Sequence, residues 1–260
     1  MANEAHNMIE KVYRNCYVAF LDILGFKNMI NGSDCNKLYE IFETIMEASH
    51  TTAAVNDKEV EAFHRIEYTI MSDSVVLYID VDTEDALFAL LSTCQTIQMA
   101  LLRDKILLRG GVARGTLFRE DSIIFGKGLT QAYLLESNVA SFPRIVFNQE
   151  LLDDGNVRNS AVSQSIWESI LISRDEDELF YINPVTLLRS IQLFGGQEKV
   201  PEYFNCVLDS CQKELDISYE LSIRQKYQWL KSKVIYEIKK NRQYILDHCQ
   251  GNSLLQKWNI

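Results

Sequence analysis

The sequence predicts an α+β fold: a ferredoxin-like βαββαβ core followed by a C-terminal helical extension. Three observations carry this. Short apolar runs alternate with amphipathic segments in the order β-α-β-β-α-β-β-α-β up to Phe147. Two of those runs flank a tight turn, Ser72-Asp73-Ser74, as a hairpin does. From about Val200 onward the strand signals stop, and apolar residues keep helical spacing among Lys, Glu and Gln.

The elements follow in order. Cys16–Leu21 holds the continuous run Tyr17-Val18-Ala19-Phe20-Leu21, which suits a strand buried on both faces. It ends at Asp22 and a turn through Gly25. Ser33 or Asp34 caps a helix whose Leu38, Ile41, Phe42, Ile45 and Met46 share one face. Ile66, Tyr68 and Ile70 alternate with Glu67 and Thr69, and Val75–Ile79 resumes beyond the turn, which puts Asp73 at a hairpin tip. Thr83 and Asp85 open a second helix carried by Leu87, Leu90, Leu91, Cys94, Ile97 and Leu101. Ile106–Phe118 is strand-like, with glycines at 110, 111 and 115. A short strand, Ile123–Phe125, runs through Gly126 and Gly128 into a helix from about Thr130 to Ser137. Arg144–Phe147 is a further strand. Strands covered by helices in this order form a layered α+β core. Residues 1–185 are assigned to this core and 186–260 to the extension, read as a helical hairpin packed on the core or as a partner-binding element.

Composition narrows the function classes. The 260 residues carry 36 acidic against 26 basic groups, a net charge of −10. Ten Lys or Arg face eight Asp or Glu from Glu198 to the end, so the acidity lies in residues 1–197, at −12. That balance argues against gripping nucleic acid by charge. Small anionic substrates remain open, because a bound metal inverts the local sign. Six cysteines show no CxxC pair, and four scattered histidines (His6, His50, His64, His248) show no zinc spacing. Reduced thiols in a cytoplasmic protein are expected. No apolar run approaches the length that spans a bilayer, and Met1–Asn15 is too polar for a signal peptide.

Two carboxylates stand out. Asp22 ends a buried strand, and Asp73 sits on a hairpin that a ferredoxin-like core places beside it. Converging carboxylates without a basic partner repel each other and invite a divalent cation, Mg²⁺ or Mn²⁺. The plain alternative is that each Asp caps a turn. The stretch Ile23-Leu24-Gly25-Phe26-Lys27 adds a strand-to-helix turn whose backbone N–H groups suit an anion.

These residues resemble a known family. Phe20-Leu21-Asp22-Ile23-Leu24-Gly25-Phe26 is similar to the first metal-binding motif of class III nucleotidyl cyclases, and Asp73 falls at that family's second metal-binding Asp, with Ser72 in place of the usual Gly. Arg109-Gly110-Gly111-Val112-Ala113-Arg114-Gly115 resembles the glycine-containing strand pair that follows. Phe125 to Ser137 resembles the helix motif with the transition-state Asn and Arg. The resemblance spans roughly residues 16–183, with Leu179–Ile182 as a closing strand. It implies a nucleoside triphosphate cyclised to a 3′,5′-cyclic nucleotide, two metal ions on Asp22, Ile23 and Asp73, and β/γ-phosphates on Gly25–Lys27. It also implies a homodimer with the pocket at the interface.

The departures lie on the last helix and in the base pocket. The family's Asn and Arg fall on Thr130 and Leu134, and leucine cannot stabilise a phosphorane. Another cation must substitute, from Lys127, Arg109, Arg114 or Arg144, with Lys127 the first choice at its helix N-terminus. The base-selecting pair falls near Thr69 and Ile123, which match neither purine set. Pyrimidine cyclases of bacterial anti-phage signalling are a related group with such non-standard pockets. Three readings therefore stand: an active cyclase, a cyclase-like nucleotide-binding module without chemistry, and an interaction protein on the same fold.

Overall fold

A computed structural model describes residues 11–55, 61–154, 164–249 and 252–258. Residues 1–10 of the polar N-terminal stretch, His6 among them, lie outside the described residues. The first strand is β1 (Arg14–Ile23), followed by α1 (Phe26–Gly32) and α2 (Cys35–Val55). The hairpin is β2 (Glu67–Met71) and β3 (Ser74–Asp80), and α3 (Ala86–Arg103) leads to β4 (Leu108–Glu120). Then come β5 (Ile123–Phe125), α4 (Lys127–Asn138), β6 (Ile145–Phe147), α5 (Gln149–Leu152), α6 (Gln164–Leu171), β7 (Ile172–Arg174) and β8 (Phe180–Ile182). The extension holds α7 (Leu187–Phe194), α8 (Val200–Ile217), α9 (Leu221–Lys240) and α10 (Arg242–His248).

The sheet runs β2-β3-β1-β4-β6-β8-β7, with β5 folded back on β4. Its first four strands are antiparallel, β1 lying between β3 and β4, which is the ferredoxin-like order. The added strand β6 runs parallel to β4. The central position of β1 explains its unbroken apolar run. Tyr17, Ala19, Leu21 and Ile23 pack beneath α2 and α3 with Ile41, Ile45, Leu90 and Cys94. Cys16 and Val18 face the other way, toward Val76, Ala113 and Ala132 of α4. Asp22 has the same parity as Cys16 and Val18 and so belongs to the α4 face.

The structure refines several boundaries. The helix expected from a Ser33 or Asp34 cap is α2, and a separate short helix, α1, precedes it after Gly25, divided from it where Ser33 is extended. Asp34 accepts a hydrogen bond from the Lys37 N–H at 3.1 Å, the expected cap. The strand expected over Ile106–Phe118 is β4, and the glycine-containing stretch from Arg109 to Gly115, which the resemblance likened to a strand pair, lies wholly within it.

One helix among the described residues, α3, is long and apolar enough by composition to cross a membrane, against the expectation of no such run. Of that stretch 83% is buried inside the fold. Its amide donors are used there: Gln95 donates to the Asn183 carbonyl at 2.7 Å, and Gln98 donates to those of Leu108 and Pro143. The Gln95 and Gln98 amide oxygens and the Thr93 hydroxyl are buried without a partner among the described residues, a desolvation cost the helix carries.

The extension packs as a helical hairpin, α8 against α9, on Met99 and Leu102 of α3 and on Val146 and Tyr181 of the sheet. Trp229 of α9 stacks on Phe142 at 5.6 Å and meets Tyr181 edge-on. Beneath it lies an ion cluster. Arg144, fully buried, donates to Asp175 and Asp177. Asp175 also accepts from the Trp229 indole at 2.7 Å and from Lys233 at 2.6 Å. Farther along α9, Glu237 accepts from the Leu187 N–H at 2.9 Å and so satisfies the first turn of α7. Arg144 was a candidate for the missing active-site cation, and this placement makes it a structural fastener.

Candidate active site

The end of β1 gathers the expected acidic pair. Asp22 lies opposite Ser74 in the β1–β3 ladder. The Ile23 N–H donates to the Asp73 carbonyl at 2.9 Å, which fixes the hairpin tip against the strand end. Ser72 holds φ at 56°, in the left-handed region that a two-residue hairpin loop demands of its first position. Glycine is at ease there, so the serine carries strain.

The next turn is only partly available to an anion. The Leu24 N–H donates to the Leu107 carbonyl at 2.9 Å, and that of Ile23 is spent on Asp73, so neither faces a ligand. Gly25, at φ 81°, turns the chain into α1. The N–H groups of Phe26 and Lys27 open that helix and have no acceptor within it. Phe26 is buried against Phe42, and Lys27 is exposed.

The expectation of two carboxylates without a basic partner is corrected. Arg109, opposite Asp22 on β4, donates from Nε to Asp22 Oδ2 at 3.1 Å. The same Nε lies 2.7 Å from Oε1 of Glu136, a residue of α4 whose side chain is 4% exposed. Gly111 makes this possible. A Cβ there would stand 2.3 Å from the Ala132 carbonyl oxygen, so α4 rests directly on the β4 backbone and carries Glu136 down to Arg109. One guanidinium thus serves two carboxylates, Asp22 and Glu136, and the Asp73 charge acts on both of them. Burial pushes the Asp22 carboxyl up from its ordinary value, Arg109 pulls it down, and Asp73 adds to the rise. Burial likewise raises Glu136, again opposed by Arg109.

This donor set fits a hard divalent cation. Two carboxylate side chains at a sheet end, short of positive charge, suit Mg²⁺ or Mn²⁺ that completes its shell with water and phosphate oxygens. Among the described residues no group of three or more His, Cys, Asp or Glu could by itself hold a metal. The phosphates would therefore have to supply part of the shell.

Only the ionised carboxylates bind a cation, and both Asp22 and Glu136 ionise above the usual range. With Arg109→Met they lose the charge that opposes the rise, so the acid limb of Mn²⁺ binding should move to higher pH. Titrating Mn²⁺ by its paramagnetic resonance signal across pH 4–8 checks this, and an unmoved limb would contradict it.

Other expected residues fall elsewhere. Gly128 packs backbone to backbone against Gly115, which lies opposite Cys16. Lys127 is therefore six β1 residues from Asp22, about 20 Å at ~3.3 Å per residue. It is exposed and does not face the Asp22 end within one chain, contrary to expectation. Thr130, also exposed, donates its hydroxyl to the Gly126 carbonyl at 3.1 Å. Thr69 lies opposite Val76 and shares the α4 face, while Ile123 sits on the β4–β5 hairpin at the far end and is 56% exposed. Arg114 is held by Asp154 at 2.5 Å, so it too is structural.

What the residue pattern missed is Lys226. It lines a cleft of about 710 Å³ between α9 and the core, together with Arg109, Phe142, Asp177 and Trp229. Its charge lowers the Asp22 pKa. No motif marks it, because it lies beyond the strands that carry the site.

No family model matches the sequence, and no curated protein matches it. Among solved structures, the adenylyl cyclase CyaB from P. aeruginosa is 13% identical, with a TM-score of 0.44 over 67% of this chain and 96% of that one. The guanylyl cyclase Cya2 is 12% identical, with a TM-score of 0.40 over 67% and 93%. The guanylate cyclase domain of RhGC from Catenaria anguillulae, in complex with GTP, is 11% identical, with a TM-score of 0.44 over 65% and 96%.

Proposed function

We propose that the chain is a nucleotidyl cyclase that converts a nucleoside triphosphate to a 3′,5′-cyclic nucleotide and pyrophosphate. The observation that carries this reading is the convergence of Asp22 and Asp73 at the end of β1, beside the Gly25 turn. The 3′-oxygen attacks the α-phosphorus, the bond to the β-phosphate oxygen breaks, and pyrophosphate leaves with the electron pair. Two divalent ions, Mg²⁺ or Mn²⁺, held by Asp22, Asp73 and the Ile23 carbonyl, would supply a more acidic attacking hydroxyl and neutralise the leaving group. Arg109 keeps Asp22 and Glu136 in place and limits their mutual repulsion. The α1 entrance takes terminal phosphate oxygens at Phe26 and Lys27.

A homodimer is part of the proposal. The α4 residues of the motif set, Lys127 and Thr130, lie toward the other end of the sheet from Asp22, so one chain holds two incomplete halves. Met71, Tyr133 and Leu134, 45–48% exposed, give this face apolar surface suited to a second copy. Thr69 and Ile123 bring no charge to select a purine edge. The base we propose is a pyrimidine, with a place in anti-phage signalling, from the resemblance to cyclases with such non-standard pockets.

Leu134 favours a second reading, a nucleotide-binding or protein-interaction module without chemistry. One experiment separates them: all four nucleoside triphosphates with Mn²⁺, read by mass spectrometry. A cyclic product with pyrophosphate is expected from one of them. Nucleotide-dependent thermal stabilisation without product would support the second reading.

A further inference from the structure

The extension contributes to the site through α9. Ser222, Gln225, Lys226, Trp229, Ser232 and Lys233 recur at spacings of three and four, so one helical face lines the cleft beside Arg109. The two ends of this face differ. Trp229 and Lys233 are bound to Asp175, and through it to the buried Arg144, which locks the helix at a set height. Lys226 lies two turns before Lys233 and, among the described residues, pairs with no carboxylate. It is half-buried in the cleft wall rather than extended into solvent. The clamp therefore holds an ammonium without a carboxylate partner in the cleft that Arg109, the partner of Asp22, also lines.

Charge says what such a cleft would take. Arg109, which bonds Asp22 and Glu136, lines the cleft together with Lys226 and so joins it to the acidic cluster. Asp175, Glu176 and Asp177 line it as well, and of these Asp175 and Asp177 are already paired with Arg144 and Lys233. A divalent cation held at Asp22 and Asp73 would offset the cluster and leave the Lys226 ammonium for the anion. Gln225, directly before it in the chain, adds a neutral donor to the lining, while the Ser222 hydroxyl is spent on Glu220 at 2.5 Å. A volume of about 710 Å³ accommodates a ligand the size of a nucleotide.

We infer that Lys226 of the C-terminal helix α9 is a polyphosphate-binding residue of the Asp22 site, acting in cis. The inference rests on the proposed cyclase reading and assigns the extension a direct part in substrate binding. It makes Lys226 a contact to the β/γ-phosphates rather than to the base.

The test uses the full chain with inorganic tripolyphosphate plus Mn²⁺, followed by calorimetry, and with whichever nucleoside triphosphate the wild type turns over. Lys226→Ala and Lys226→Gln are both expected to weaken tripolyphosphate by about tenfold and to raise KM similarly, since a charge-assisted bond is lost. Lys226→Arg should retain most of the affinity. Lys231→Ala, on the same helix but bonded to Gln212 at 2.7 Å, should bind as the wild type does. Wild-type affinity and KM in both neutral variants would overturn the inference while leaving the cyclase reading intact. A wild type that neither binds nor turns over any of these ligands would overturn both.

Discussion

Asp22→Asn and Asp73→Asn are each expected to reduce cyclic-nucleotide formation by at least about 10²–10³-fold, the loss typical for one electrostatic stabiliser of a transition state. Each substitution removes a negative charge and leaves the shape of the side chain. In Asp22→Asn, Arg109 still has Glu136 at 2.7 Å, so the local packing survives. In Asp73→Asn the backbone bond from Ile23 to residue 73 persists, because it uses the carbonyl and not the side chain. The melting temperature should therefore change little while turnover collapses. The same variants test the shared site. Asp22→Asn mixed with a Lys127→Ala, Thr130→Ala double variant should recover activity toward about a quarter of the wild type, since heterodimers regain one intact site. Mixing that restores nothing would argue that the two halves of the motif set never meet. A fully active Asp22→Asn would remove the basis of the cyclase reading.

The second large effect concerns the fastening of the extension. Asp175→Ala leaves the buried Arg144 with Asp177 alone and strips a partner from Trp229 and Lys233. Breaking a buried ion cluster by removing one partner costs about 3–5 kcal/mol. For a chain of this size that is a fall in Tm of roughly 10 °C. Asp177→Ala should cost about 1 kcal/mol or less, because that carboxylate is 45% exposed and screened. The pH dependence has a definite sign. Hydrogen bonds from Arg144 hold Asp177 below the ordinary carboxylate range. Burial alone would raise Asp175, but hydrogen bonds from Lys233, Trp229 and the Glu176 N–H outweigh it and leave it low as well. Depressed values mean stability that is present above the unfolded carboxylate pKa and lost as pH falls through the folded one. Wild-type melting should thus weaken steeply in acid, and Asp175→Ala should flatten that limb. Calorimetric melts from pH 3 to 7 check both, and an unchanged Tm for Asp175→Ala would contradict the clamp.

The core was readable because its signals are local. An unbroken apolar run at Tyr17–Leu21 needs burial on both faces, and only a central strand offers that. The alternation through Ile66, Tyr68 and Ile70 and the turn at Ser72-Asp73 define a hairpin by themselves. Asp22 and Asp73 became a candidate pair because each ends or joins such a strand. The roles of the cations were not readable. Arg144, Arg114 and Arg109 look alike along the chain, yet one is sealed under Trp229, one is held by Asp154, and one braces the acidic cluster. Lys226 has no motif to mark it.

What the sequence by itself determined is the order of the main strands and helices up to Phe147 and the helical character of the tail, all properties of neighbouring residues and their period. Only the tertiary structure decided which charges meet. Arg109 reaches Asp22 across 87 residues of chain, and Lys233 reaches Asp175 across 58. Partners that far apart are selected by strand register and by how closely a helix can approach a sheet. At Gly111 that approach is set by the missing side chain. The same packing separates Lys127 from Asp22 and brings the C-terminal helix to the cleft instead.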